Sequence, residues 1–298
     1  MFDQRFTRGL ILASAMAMLA PATGLALDLS GSLGEGGLSH YVAPISNPIF
    51  NETPYITTEA RPMYMHQAIP EGFLTNGGDI DVIAVQLRVA ITDRLGFIAS
   101  KDGWADVHFD SALSDESGFA NVAAGLKYAL ISDPETNTIL TVGLRYEAPL
   151  GNLRSSGISM QGRGDGMFDL FVTGARTFGP VGLQASLGTQ LAVDDSHDVS
   201  LMHYSVHADY EIAERFYPTL EINGFSPIDD GNRTAAGVNG MDLVNLGSSN
   251  SDTIVTIGQG LRVRLHENVD AGASFELPVT DSEDLMDWRV TTDLVLHL

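Results

Sequence analysis

The sequence predicts an all-β protein, a single closed antiparallel β-barrel of about twelve strands that crosses a membrane. Three observations support this fold class. Apolar and polar residues alternate along most segments after Glu59, the segments are about ten to thirteen residues long, and short connectors alternate with long ones. Strands of soluble proteins average roughly five or six residues, whereas a tilted strand needs roughly 9–11 to cross a bilayer.

Residues 1–26 are predicted to form a secretory signal peptide. Arg5 and Arg8 precede an apolar run from Leu10 to Ala20, and Gly24-Leu25-Ala26 supplies the small residues of a leader-peptidase site. The run is shorter than the roughly 20 residues of a membrane-spanning helix. An uncleaved anchor or a buried first helix is the alternative. The prediction implies export through a Sec-type pathway.

Composition excludes several classes of function. The formal net charge is −22 and there is no cysteine. Nucleic-acid binding is not expected, because phosphates need lysine and arginine for neutralisation. After the signal peptide no apolar run approaches the roughly 18 residues of a helical membrane span. Nucleotide-loop, zinc and haem motifs do not occur in the sequence, so we expect no cofactor.

Residues 27–58 are predicted to be irregular. The segment is rich in glycine, serine, proline and asparagine, and Pro44, Pro48 and Pro54 interrupt both helices and central strands. We expect a periplasmic tail or a segment folded into the mouth of the barrel. The barrel itself should comprise residues 59–298.

The period of two residues is clearest in residues 288–298. Trp288 and Val290 share one face of this segment, and Arg289 and Asp293 share the other. A charge at the bilayer midplane costs about 2–4 kcal/mol, so the apolar face should contact lipid and the polar face should enclose the lumen. The same alternation recurs in residues 83–91, 122–130, 140–147, 202–212, 255–265 and 269–277.

Residues 95–109 are less regular, because Asp102-Gly103 interrupts them, and a bulge or a break is expected there.

The connectors predict the orientation of the barrel. Outer-membrane barrels have tight periplasmic turns and longer outer loops. An even number of strands then places both chain termini in the periplasm. The short connectors are 92–94, 132–137, 178–181, 213–215 and 266–268, and the long ones are 110–118, 151–164, 194–200, 227–251 and 280–284.

Aromatic residues on the apolar faces suit an interfacial girdle where they lie near strand ends. The alternative is that they form the dry core of a soluble sandwich. The residues concerned are Tyr128, Tyr146, Tyr210, Phe216, Phe275 and Trp288.

The polar faces carry the candidate lumen or selectivity residues. One interpretation is a charged, water-filled path. In it a basic strip faces three acidic residues, Asp169, Asp209 and Glu221, and the strip consists of Arg88, Arg145, Arg262 and Arg264. The other is a web of salt bridges that fills a narrow lumen. Barrels of about eight strands enclose only side chains and those of sixteen or more hold wide channels, so we expect a partly filled lumen with a narrow path. The candidates are Arg88, Lys127, Arg145, Glu147, Asp169, His203, His207, Asp209, Glu221, Arg262, Arg264 and Asp293.

Acidic residues are concentrated in the long loops and predict a negative outer rim. Such a rim attracts cations, and carboxylates could hold divalent ions there. Solvated acidic loops are the alternative, because no loop matches the full spacing of a calcium-binding loop. The residues are Asp110, Asp115, Glu116, Asp194, Asp195, Asp198, Asp229, Asp230, Asp281, Glu283, Asp284 and Asp287.

Catalytic patterns are weak. His203 and Ser205 share a face, and the set resembles the His-x-Ser pair of outer-membrane lipid deacylases. Those enzymes present the pair to lipid, whereas the alternation here turns both residues inward. We therefore expect no enzyme.

Several turn and strand motifs resemble a family of largely uncharacterised bacterial outer-membrane barrel proteins. That family is similar to the outer-membrane proteins encoded with phenol meta-cleavage pathways, which are grouped with hydrophobic-compound transporters. The resemblance implies a barrel and supplies no functional residue. It rests on Asn47-Pro48, Asn51 to Pro54, Glu59 to Tyr64, Gly78 to Arg88, Thr92 to Leu95, Lys101 to Gly103 and Gly125 to Leu130.

Three hypotheses of function follow for an outer-membrane location. The first is passive passage of small solutes, including hydrophobic or aromatic compounds. The second is a lipid-acting enzyme that uses His203 and Ser205. The third is a structural or adhesive barrel with a filled lumen. The expected partners are outer-membrane lipid, a small-molecule solute and divalent cations at the acidic outer loops, with no nucleic acid.

Overall fold

The structure, a computed structural model, describes residues 27–298. The predicted signal peptide, residues 1–26, lies outside the described residues. Among the described residues no helix is long and apolar enough to span a membrane. Regular structure there consists of one 3-10 turn, Gly31–Leu33, and β-strands.

Residues 27–298 contain sixteen strands, and fourteen of them form one sheet that closes on itself, because β1 pairs with both β2 and β16. The remaining two, β8 and β9, form a small separate hairpin. The bounds are β1 (Glu59–Ile69), β2 (Gly78–Ala90), β3 (Leu95–Lys101), β4 (Trp104–Phe109), β5 (Glu116–Phe119), β6 (Val122–Asp133), β7 (Thr138–Ala148), β8 (Arg154–Ser155), β9 (Ile158–Ser159), β10 (Met167–Phe178), β11 (Val181–Ala192), β12 (Ser200–Tyr210), β13 (Phe216–Asp229), β14 (Ile254–His266), β15 (Val269–Pro278) and β16 (Trp288–His297).

Two strands of the barrel are interrupted, one between β3 and β4 and the other between β5 and β6. The fourteen segments therefore make twelve antiparallel barrel strands, and the predicted fold class is confirmed. β3 and β4 both pair with β2 and are separated by Asp102 and Gly103, inside the segment for which a break is predicted. Gly103 has φ +117°, and a Cβ there would lie 2.6 Å from the carbonyl oxygen of Ile83. Asp102 accepts a hydrogen bond from the Val85 amide at 3.0 Å, which satisfies a donor that the break leaves unpaired.

The apolar faces point outward all round the barrel. Leu144 and Leu170, for example, are 51% and 59% exposed. The alternative of a dry sandwich core for the aromatic residues is therefore wrong. Tyr146 and Phe275 lie towards the end with the long loops, where their rings contact Phe168 and Trp288. Tyr128, Tyr210 and Phe216 lie towards the opposite end, near the short turns.

The connectors also divide as predicted into short turns at one end and long loops at the other. Both described chain ends lie at the short-turn end, where Glu59 is opposite His297 and the Leu298 amide donates to the Thr58 carbonyl at 3.0 Å. Several boundaries differ from the prediction: β6 runs to Asp133 inside the expected turn 132–137, and β13 runs to Asp229 inside the expected loop 227–251. β5 begins at Glu116 inside the expected loop 110–118, and β12 ends at Tyr210, two residues early.

Leu144→Arg tests whether the outward face contacts hydrocarbon. Leu144 lies near the middle of β7, so the substitution should lower the free energy of unfolding from a lipid bilayer by about 2–4 kcal/mol. Reversible denaturant unfolding in vesicles measures this change. Glu135→Arg places the same residue in an exposed short turn and should have little effect. Equal stability of both variants would contradict a lipid-facing wall.

Candidate functional site

The lumen is occupied by the segment that precedes β1, which we call the re-entrant loop (residues 38–58). It starts at the short-turn end, where the Ser39 amide donates to Asn137 at 3.0 Å. It reverses inside the barrel, where the Asn51 amide donates to the carbonyl of Asn47, whose φ is 48°. It then returns to the short-turn end and continues into β1. All residues from Tyr41 to Thr58 are buried.

The re-entrant loop has no regular secondary structure, so its backbone groups need partners from the barrel wall. Pro44, Pro48 and Pro54 lack an N–H, which leaves carbonyl oxygens in excess. Lumen side chains supply the missing donors. Arg262 donates to the Ala43 carbonyl, Arg61 to Pro44, Gln86 to Pro48, Thr173 to Glu52, Lys127 to Thr53, Thr141 to Pro54 and Gln184 to Val42.

Glu52 is the carboxylate by which the re-entrant loop holds two wall cations. Its Oε2 accepts from Arg88 Nη2 at 2.7 Å, and its Oε1 accepts from Lys127 Nζ at 2.8 Å. Arg88 also contacts Glu59, the first residue of β1, at 3.3 Å. All four side chains are buried, so each charge depends on the others for compensation.

A second group lies around the tip of the loop. Arg145 forms a salt bridge with Asp169, which faces it across the β7–β10 pair. Asp169 Oδ1 also lies 2.7 Å from His203 Nε2. The His203 ring stacks on Phe50 of the re-entrant loop, with 4.4 Å between ring centroids. These contacts join the loop tip to three wall strands.

A third group joins imidazoles and carboxylates in a chain. His207 Nδ1 lies 2.7 Å from Glu221, and its Nε2 lies 3.2 Å from Asp209. Asp209 in turn contacts His40 of the re-entrant loop at 2.8 Å. Glu221 also accepts from the Ile45 amide at 2.8 Å, so this chain too ends on the loop.

The remaining predicted lumen residues fall into smaller groups. Asp293 pairs with Arg262 at 2.9 Å and also with Arg61, and Glu147 pairs with Lys101 at 2.9 Å. Arg264 differs from the prediction, because its side chain is 38% exposed at the short-turn end, 3.5 Å from Asp270. The other eleven predicted lumen residues are buried inside the barrel.

The predicted basic strip does not face the predicted acids as a set. Of the proposed opposites, Arg145 and Asp169 form a direct salt bridge, whereas Asp209 and Glu221 are bonded to His207. The charges thus form a web of separate salt bridges in the described residues. Sequence reasoning missed Arg61, although it shares the inward face of its strand with the lumen residues. It also missed Glu52, which lies in an irregular segment where no period marks an inward side chain.

Along β1, β2 and β4 the interior nearest the long loops is apolar, whereas Arg289 forms buried salt bridges with Asp242 and Glu276 elsewhere at the same end. We call the apolar part the apolar compartment, and its walls come from β1, β2 and β4, from the loop tip (Ile49 and Phe50), and from the loops folded over the mouth. It surrounds a cavity of about 30 Å³. Methionine is unusually frequent here, at positions Met63, Met65, Met160, Met241 and Met286.

The long loops interlock above this compartment. Gln161 donates to the Leu243 carbonyl at 2.9 Å, and the Asn245 amide donates to Met160 at 2.7 Å. Asp242, a loop residue that the sequence did not single out, reaches inward to Arg289 at 2.8 Å. The mouth of the barrel is therefore covered by packed loops with their own hydrogen bonds.

The acidic loop residues have several different roles. Asp198 is buried in a salt bridge with Arg233 at 2.9 Å, and Asp194 contacts His197 at 2.9 Å. Asp281 and Glu283 remain exposed. Within residues 27–298, the loop carboxylates predicted as a divalent-cation rim do not converge into a group with metal-ligand spacing.

His203 and Ser205, the residues of the enzyme hypothesis, both point into the barrel and are buried. Ser205 Oγ accepts a 3.4 Å hydrogen bond from Asn47 of the re-entrant loop. His203 is bonded to Asp169 and stacked on Phe50. A lipid molecule outside the wall could not contact either side chain.

Comparison with known proteins supports the fold. No protein-family model matches the sequence, and no curated protein matches it. Among solved structures, an outer membrane channel from Pseudomonas putida F1 superposes with a TM-score of 0.59 and 11% identity, over 87% of this chain and 100% of that one. The NanC porin gives a TM-score of 0.49 at 8% identity, over 81% of this chain and 100% of that one. The described chain therefore has the fold of an outer-membrane β-barrel.

Glu52→Gln should loosen the re-entrant loop, because Lys127 and Arg88 would remain buried with less compensating charge. Breaking a buried pair from one side costs about 3–5 kcal/mol. Hydrogen exchange of peptides from residues 41–58 should accelerate by roughly 100-fold or more. Glu214→Gln, in an exposed turn, is the control. Unchanged exchange in Glu52→Gln would contradict this anchoring role.

We expect Asp284 to make the docking of the loops depend on pH. Its Oδ2 accepts from the Gly240 amide at 2.8 Å, and its other oxygen has no partner among the described residues. Burial raises the pKa of Asp284 to about 7. An undocked Asp ionises near its ordinary pKa, so docking should weaken as pH rises from about 4 to 7 and then level off. Proteolysis of residues 230–253, compared with Asp284→Asn at each pH, measures this. The variant should lack that dependence, and identical pH profiles would contradict it.

Proposed function

We propose that the protein is an outer-membrane transporter for small apolar solutes, including aromatic compounds, and that the re-entrant loop is its plug. In this proposal residues 1–26 direct export, the apolar wall spans the outer membrane, and both termini of the mature chain lie in the periplasm. The outer-membrane barrel fold is the framework for this role, and the contents of the barrel indicate the class of solute.

The observation that carries the proposal is the apolar compartment, which occupies one side of the interior at the long-loop end. The apolar compartment lies beneath the long loops, and its methionines have flexible, polarisable side chains that adapt to varied apolar ligands. A pore for hydrophilic solutes would instead need a continuous polar, water-lined path. In the described residues the charged groups are paired with one another and with the re-entrant loop.

Passage to the periplasmic side requires the re-entrant loop to move. Phe50 and Ile49 form the floor of the apolar compartment, and the salt bridges of Glu52 with Arg88 and Lys127 lie beneath them. The loop enters and leaves at the same end of the barrel, so it can withdraw without being threaded through the wall. Its irregular backbone has no ladder to break, and its bonds to the wall can separate a few at a time.

A reversible cross-link tests the moving plug. Asn223 donates to Ser46 Oγ at 3.0 Å, so Ser46→Cys with Asn223→Cys places two thiols close together in a chain that has no other cysteine. Vesicles containing this variant should take up a small aromatic alcohol after reduction and lose at least about tenfold in rate after oxidation. The single-cysteine variants are the controls. Equal uptake by both forms would contradict a moving plug.

The filled lumen favours a second candidate, a structural or adhesive barrel that transports nothing. Its acidic loops would then face partners outside the cell. The same vesicles distinguish the two functions, since a correctly folded barrel of this kind would take up no apolar solute in either redox state of the variant.

A further inference from the structure

We propose that the outer wall of the barrel carries a binding site for a divalent transition-metal ion of the zinc type, formed by His66, Asp79 and Asp81. His108 and Asp106 lie beside it. We call these five residues the wall patch. It lies on the strands, apart from the acidic loops and outside the lumen, so it is independent of the proposed transport function.

Strand register brings the wall patch together. Across β1, β2 and β4, His66 is opposite Asp81, which is opposite Asp106. In the next row towards the long loops, Asp79 is opposite His108. All five side chains point outward, because their neighbours along each strand are buried in the interior. Three adjacent strands thus contribute imidazole and carboxylate groups to one spot.

The distances suit a metal ion. One nitrogen of His66 and one oxygen from each of Asp79 and Asp81 lie within 4.8 Å of one another. His66 Nδ1 is 2.9 Å from Asp81 Oδ1, and His108 Nδ1 is 3.2 Å from Asp79 Oδ1. An ion with ligand distances of roughly 2.0–2.2 Å fits between such atoms after small rotamer changes.

The carboxylates of the wall patch have no permanent cation as a partner among the described residues. In the part of the chain that the structure describes, its three carboxylates form ion pairs with histidine alone, and with no arginine or lysine. In the lumen, by contrast, Glu52, Asp169 and Asp293 each pair with a permanent cation. A bound divalent ion would supply the missing positive charge.

The position on the wall allows an ion to reach the site. The next row towards the membrane centre consists of Tyr64, Ile83, Trp104 and Phe119, an apolar and largely aromatic row typical of the membrane interface. The wall patch therefore lies just outside the hydrocarbon level. The side chains of His66, Asp81 and Asp79 are 32%, 34% and 38% exposed, which leaves room for water in the remaining coordination positions.

The donor set indicates which ions bind. Imidazole nitrogen suits zinc, copper and nickel, whereas calcium and magnesium take oxygen ligands. Tyr64 donates to Asp81 Oδ1 at 2.6 Å and so orients that carboxylate, as outer partners of metal ligands do. A metal held here would link β1 to β2 at the long-loop end, beside the wall that is interrupted between β3 and β4.

Zinc titration of the untagged, folded barrel in detergent tests the site. Calorimetry after removal of metals should show one saturable Zn²⁺ site per chain. His66→Gln and Asp81→Asn should each weaken binding at least about tenfold. His197→Gln, which removes an imidazole beside Asp194 in a distant loop, should leave it unchanged. Heat-modifiable migration on a gel verifies that each variant is folded, and X-ray absorption at the zinc edge should detect imidazole in the parent complex.

Any one of four results would contradict the proposed metal site. These results are the absence of saturable Zn²⁺ binding by the parent, equal affinity in His66→Gln, an equal loss in His197→Gln, or Ca²⁺ binding that persists in His66→Gln while Zn²⁺ does not bind. A zinc-edge spectrum with oxygen ligands alone would also exclude the proposed imidazole coordination.

Discussion

The interior of this barrel depends on the compensation of buried cations. Arg61, Arg88, Arg145, Lys127 and the other wall cations lie in a space closed by an apolar wall, where an unpaired charge is strongly destabilising. Wall carboxylates neutralise some of them, and the carbonyl oxygens of the re-entrant loop satisfy the donors that remain. The wall and the loop therefore need each other. Without the loop, the lumen would have to fill with water to solvate the same groups.

The position of the apolar compartment follows from the residues at the long-loop ends of three strands. Inward positions of β1, β2 and β4 near the long loops are aliphatic or methionine, while inward positions nearer the short turns are charged. The tip of the re-entrant loop contacts both environments, since Phe50 packs in the apolar compartment while Glu52 binds Arg88 and Lys127 below it. A segment of about twenty residues can thus separate two environments without forming any regular structure.

The barrel wall could be predicted from the periodicity of its strands. The contacts of the re-entrant loop could not, because its sequence has no periodicity. Arg145 and Asp169 occupy inward positions of strands that are consecutive in the barrel, so their encounter follows from the pattern. Glu52 is held by tertiary contacts alone, and a proline-rich sequence gives no sign of the direction in which its side chain points. The outward position of Asp79 and Asp81 could have been predicted from the sequence, because both are polar residues in phase with the apolar face of β2.

The seam where the first and last strands meet has a consequence for the accuracy of barrel closure. A slip of two residues between β1 and β16 would keep every apolar side chain outside, so hydrophobic alternation does not penalise it. The same slip would move Asp293 by roughly 7 Å along the seam. Arg61 would then lose the carboxylate that it shares with Arg262 while still bonded to the carbonyl of Pro44, whereas Arg262, on the same side of the seam as Asp293, would keep it. Polar contacts in the interior thereby select one strand register among those that the apolar outer face would accept equally well.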